Sequence, residues 1–124
     1  LEQVPLTVRT AAGAVHKFTV EVARSPQEQE MGLMNRSSLA PDRGMIFPHE
    51  PPRMASFWMK NTLIPLDIIF VRPDGTIVNI AENTVPLSLD PVPSLEPVGL
   101  VLELAGGRTA ELGIKAGDKV EWQR

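Results

Sequence analysis

Two carboxylates interrupt otherwise apolar runs, and they are the residues best placed to do chemistry: Asp67 in Leu66-Asp67-Ile68-Ile69-Phe70, and Glu103 in Val101-Leu102-Glu103-Leu104. In an extended strand Asp67 shares a face with Ile69 and Val71, and Glu103 shares one with Val101 and Ala105. An unpaired carboxylate on a buried face costs on the order of several kcal/mol, against a total stability of about 5–15 kcal/mol. Each acid must therefore be paired, hydrogen-bonded, neutralised or held at a wet rim. Arg36 and Lys60 are the expected partners, with Asn61 and Thr62 supplying further hydrogen bonds. The favoured reading is a structural lock, because such networks imitate active sites. The next is a polar binding cleft. A third makes Asp67 and Glu103 the general acid and base of a hydrolase acting on carbohydrate or cell-envelope material. No nucleophile with a positioned base and orienter can be assembled from the sequence, which favours binding over catalysis.

The segment Phe57-Trp58-Met59-Lys60-Asn61-Thr62 stands just before the first acid. Trp58 alternates with Ser56 and Lys60, which predicts a less buried face than that of Phe57. An exposed tryptophan beside Lys60 and Asn61 suits stacking on a sugar or another ring. The plainer expectation packs Trp58 beneath the loop 83–97. The expected ligand-binding set is Trp58, Lys60, Asn61, Thr62, Asp67 and Arg36.

Metal chemistry has weaker support. The chain has no cysteine, which excludes disulfides, thiolate metal sites and a cysteine nucleophile. His16 and His49 lack a paired ligand spacing, although Glu50 could add a ligand beside His49. Thioethers suit Cu(I). Met31 and Met34, however, lie at helical spacing and read as core packing, and Met45 and Met59 sit among apolar strand neighbours. No metal or cofactor is expected.

At 124 residues the chain is expected to be one domain, 1–124. It is 43% hydrophobic and 22% charged, enough to bury a core. A net charge of −3 and the lack of any two adjacent basic residues argue against nucleic acid. No apolar run is long enough to span a membrane. The first residue is Leu1, read here as a mature or trimmed form whose upstream signal has been removed.

Twelve prolines and nine glycines favour short elements. Strands are predicted at Leu6–Arg9, Val15–Val22, Met45–Phe47 (ended by Pro48), Met54–Lys60, Leu66–Val71, Thr76–Ala81, Gly99–Leu104 and Lys119–Trp122. Ser25-Pro26-Gln27-Glu28 spells a capping box, so a helix should start there and stop near Met34-Asn35. Thr109–Leu112 reads as one helical turn. Pro73-Asp74-Gly75 is a hairpin turn, and 83–97, with four prolines, is a long irregular loop. The fold class is mainly β: an antiparallel sandwich or partly open barrel of about eight short strands with one short helix.

The order of several motifs is distinctive: Gly32-Leu33-Met34-Asn35-Arg36, Gly44-Met45-Ile46-Phe47, Phe57–Thr62, Leu66–Phe70, Val101–Leu104 and the Gly113…Gly117-Asp118 turn. The sequence from about Thr19 to Val120 resembles the bacterial and archaeal family called domain of unknown function 192. The resemblance implies a β-rich domain, often exported behind a signal peptide or lipoprotein signal, with no catalytic assignment to transfer. The combined expectation is an exported, periplasmic or membrane-anchored accessory domain. It would bind a small-molecule or envelope ligand in a polar cleft partly covered by the loop 83–97. It would be a monomer or weak dimer.

Overall fold

The computed structural model describes residues 1–123. Among them the elements run β1 (Gln3–Arg9), β2 (Val15–Val22), α1 (Pro26–Met31), β3 (Arg43–Arg53), β4 (Ser56–Phe57), β5 (Leu66–Val71), β6 (Ile77–Ala81), β7 (Val92–Pro93), β8 (Val98–Ala105), α2 (Arg108–Leu112) and β9 (Lys119–Trp122). Seven strands form one sheet in the order β6-β5-β8-β3-β2-β1-β9, and β4 pairs with β7 alone. All pairings are antiparallel except β2 with β3.

The long sheet curls until its two edges meet at one end. Val120 N donates to Gly75 O at 2.7 Å, and Ile77 N donates to Asp118 O at 2.8 Å. This is the partly open barrel expected from many short strands, and closing the edges removes unpaired backbone groups. Inside the curl lies a core drawn from all seven strands, including Leu6, Phe18, Val20, Ile46, Ile69, Ile77, Leu102 and Val120. A second core covers the other face of β3, β5 and β8, with Met45, Phe47, Leu66, Ile68, Phe70 and Val101 packed on Leu33, Ala55 and Met59. The central strands are thus buried on both faces, which is why every residue of β5 is buried.

Several boundaries differ from the sequence reading. β3 continues through Pro48 to Arg53, because its flank toward β2 is free beyond Ile46. On such a flank the missing proline N–H breaks no ladder bond. Pro48 O on that side takes a hydrogen bond from Gln29 Nε2 at 3.0 Å. The expected strand 54–60 shrinks to Ser56–Phe57, since only β7 lies beside it. The helix stops at Met31, capped by Gly32, and Asn35 takes its left-handed turn (φ +64°) afterwards. The helical turn expected at Thr109–Leu112 is α2, which starts one residue earlier at Arg108 with Gly107 as its N-cap. Among the described residues no helix is long and apolar enough to cross a membrane.

Candidate functional site

A cleft of about 380 Å³ opens between α1 with its following turn on one side and the segment around β4 on the other. Its size is that of a small-molecule site. Gly32, Leu33 and Met34 form one wall, Phe57 and Trp58 the other, and Phe47, Leu66 and Glu103 lie at the sheet surface. The remaining polar lining comes from Gln29, Glu30, His49, Arg53, Ser56 and Thr62, with Met31, Met54 and Ala55 beside them.

The wall helix is short and depends on its caps. Ser25 Oγ accepts from Glu28 N at 3.1 Å, and Glu28 Oε1 accepts from Ser25 N at 3.0 Å and Arg24 N at 2.9 Å. Those backbone donors hold the Glu28 carboxyl below its usual range. Gln29 Nε2 ties the helix to Ala23 O and Pro48 O. At Gly32 the backbone has φ +48°, and a Cβ there would lie 3.4 Å from the Phe47 ring. Glycine therefore ends the helix and lets the turn close on the cleft.

Glu103 lies at the bottom of this cleft. In the sheet it stands between Met45 of β3 and Ile68 of β5, both fully buried. Its residue is 4% exposed, and no described residue gives it a hydrogen bond or ion pair. Burial alone pushes its carboxyl up to about 8, so at neutral pH it is mostly protonated and can donate. His49 lies on the same face, continuing the alternation Met45, Phe47, His49. It is buried, its Nδ1 has no partner, and burial, helped by the Arg53 charge, lowers its pKa to about 4. The imidazole is therefore neutral at physiological pH.

The aromatic wall is well fixed on one side and open on the other. The Phe57 ring meets Phe47 edge-on at 5.0 Å and Phe70 at 6.3 Å. Trp58 is 48% exposed, and Lys60 Nζ sits 5.2 Å from its ring centroid. Trp58 therefore does not pack beneath the loop 83–97 as the plainer expectation held. It separates the cleft from a second hollow lined by Ser56, Phe57, Leu89 and Pro91. The loop borders that hollow and does not roof the cleft, because Met59 N to Ser88 O and Ser94 N to Ala55 O pin it to the far side.

Of the residues expected to bind ligand, the structure brings Trp58 and Thr62 to the cleft and places the others elsewhere. Asp67 points into the opposite face of the sheet. Its Oδ1 accepts from Asn83 N at 2.9 Å and Gly107 N at 3.0 Å, and its Oδ2 accepts from Thr109 N at 2.9 Å and Thr109 Oγ1 at 2.7 Å. The lock expected of both acids uses Arg36 or Lys60 as partners; Asp67 is held instead by backbone and Thr109, and Glu103 has no such bonds among the described residues. Arg36 instead forms a two-pronged pair with Glu21, with Nη2 to Oε1 at 3.0 Å, which lowers the Glu21 pKa. Asn61 turns the chain at φ +55°, its carbonyl accepting from Asn35 N at 2.8 Å.

The paired-carboxylate hydrolase is not supported. Asp67 and Glu103 project from opposite faces of one sheet, so no substrate bond can lie between them. His49, Phe57 and Glu103 now define the site with Trp58. His49 was missed as a cleft residue because Pro48 reads as a strand end. Met31 lies at the cleft, 54% exposed, and Met34 is in its wall, so neither packs the core as expected. Among the described residues no three histidine or acidic side chains gather as a metal site.

The family model DUF192, described as "Uncharacterized ACR", matches residues 7–122. No curated protein matches the chain. Two solved structures are similar over 98% of it. One, from Sinorhizobium meliloti 1021 and provisionally named a transcription regulator, is 45% identical with a TM-score of 0.95 over 94% of its own chain. The other, a protein of unknown function from Novosphingobium aromaticivorans DSM 12444, is 53% identical with a TM-score of 0.95 over 86% of its own chain.

Proposed function

The chain belongs to the uncharacterised family DUF192, and from that premise we propose that it is a small-molecule binding domain whose site is the cleft above Glu103. The observation that carries this reading is a buried carboxyl with no protein partner at the bottom of a ligand-sized, aromatic-walled cleft. Burying such a group without compensation weakens a fold, so its retention points to an outside partner. Residues from five of the six motifs that carry the family resemblance also reach it. Gly32-Leu33-Met34, Phe47, Phe57-Trp58, Thr62, Leu66 and Glu103 all line it.

Binding without turnover fits better than catalysis, because among the described residues neither hydroxyl of the cleft, Ser56 or Thr62, is hydrogen-bonded to His49 or Glu103, so no nucleophile is paired with a base. Export, an envelope ligand and a monomeric or weakly dimeric state complete the proposal, and of these only export draws on the family resemblance. A thermal-shift screen of a broad metabolite panel against the wild type and Trp58→Ala tests the central part. Compounds that stabilise the wild type and lose their effect in the variant support it. A panel in which no stabilisation depends on Trp58 overturns it.

A further inference from the structure

We propose that the cleft takes an organic cation, a primary or secondary amine on an apolar ring-bearing body, with its ammonium against the Glu103 carboxyl and its ring along Phe57 and Trp58. The inference rests on reading the cleft as a ligand site and goes on to name the ligand's chemistry.

The unpaired acid sets the polarity of the ligand. Glu103 is 96% covered by its surroundings and flanked across the sheet by Met45 and Ile68, neither of which can donate. None of the nearby basic side chains is paired with Glu103. Arg36 holds Glu21, Lys60 lies over Trp58, and Arg53 reaches Gln29 Oε1 at 3.4 Å. His49 faces the same cleft but stays neutral at physiological pH. The remaining ionisable group of the lining is Glu30, a second acid. With Glu103 ionised, the acids Glu30 and Glu103 outnumber the one cation, Arg53. In that ionised state the cleft repels carboxylates and phosphates and attracts an ammonium, whose arrival is what favours the state.

The walls set the body of the ligand. Phe47, Phe57 and Trp58 offer ring faces and edges, and Met31, Met34 and Met54 offer flexible thioethers that adapt to varied shapes. An ammonium brings up to three N–H donors to an acid that receives none from the described residues. Its arrival favours the ionised carboxylate, so Glu103 should release a proton on binding near neutral pH.

The test is titration calorimetry with three matched probes, phenethylamine, 2-phenylethanol and phenylacetate, at about pH 7 in phosphate and in Tris. The amine should bind at least about tenfold more tightly than the alcohol, a difference of ~1.4 kcal/mol. Phenylacetate should not bind. The heat of amine binding should differ between buffers in the sense of proton release. Glu103→Gln should remove the preference for the amine while leaving a folded protein by circular dichroism. Equal binding of amine and alcohol with no buffer dependence overturns the cation assignment and leaves the cleft reading standing. Failure of all three probes also overturns the assignment, and the cleft reading falls only if the broad panel gives no Trp58-dependent stabilisation.

Discussion

Glu103 stands directly across the sheet from Ile68, and Asp67 from Leu104, so the two core carboxyls of this protein lie one register step apart and on opposite faces. That single step separates their chemistry. Asp67 receives three backbone N–H groups and the Thr109 hydroxyl, whereas Glu103 receives nothing from the described residues and opens on the cleft. One acid fastens α2 and the turn at Asn83 to the sheet. The other is left for a partner from outside.

Asp67→Asn should be strongly destabilising. The amide puts an NH₂ where an oxygen accepts, leaving buried donors facing a donor. The expected loss is at least about 1–3 kcal/mol, the cost of leaving buried donors without an acceptor. Urea denaturation measures it. A cleft ligand should keep its affinity for whatever fraction stays folded, because Asp67 lies on the far face.

The stability of the protein should carry two opposed pH dependences. Glu103 is raised to about 8 in the folded state from an ordinary value of 4.5. The folded form thus holds the proton more tightly. That contribution is complete below about pH 4.5 and is lost as pH rises through about 8, at up to ~1.4 kcal/mol per pH unit. His49 is lowered to about 4 from 6.5, so its contribution is complete above about pH 6.5 and is lost as pH falls through about 4. Glu103→Gln should abolish the alkaline loss and leave the acid one. Denaturation of both proteins at about pH 5, 7 and 9 checks this. Parallel pH curves for the two would remove the argument that Glu103 is buried and protonated.

Ser25→Ala should cost about 1 kcal/mol, the usual loss on removing an N-cap. Because α1 is only six residues long and supplies Gln29, Glu30 and Met31 to the cleft, the variant should also bind cleft ligands more weakly. Amide hydrogen exchange over Pro26–Met31, compared with probe affinity, shows whether wall and binding weaken together.

Much of this architecture was legible in the residues. The capping box at Ser25 and Glu28, the hairpin at Pro73-Asp74-Gly75 and the doubly buried run Leu66–Val71 all form where local chemistry places them. The exposure of Trp58 agrees with its alternation with Ser56 and Lys60, but Trp58 lies outside the two-residue strand β4, and the plainer expectation packs it beneath the loop 83–97. What could not be read was register and partnership across distance. The face taken by Asp67 relative to Glu103 depends on how β5 and β8 align, and nothing local fixes that alignment. Its partners are mainly backbone N–H groups, which every residue but proline carries and which a search for basic side chains passes over. Arg36 found Glu21, fifteen positions upstream, because β2 runs parallel beside the start of β3. His49 was hidden by Pro48, a residue that ends central strands but not strands with a free flank.

The carboxyl carbon of Glu103, followed by NMR through a pH titration with and without saturating phenethylamine, tests the central claim most directly. The account predicts a midpoint near 8 for the free protein, from burial without a partner, and a midpoint displaced well downward when the amine is bound. A midpoint close to 4.5 in the free protein, unmoved by the amine, would contradict it.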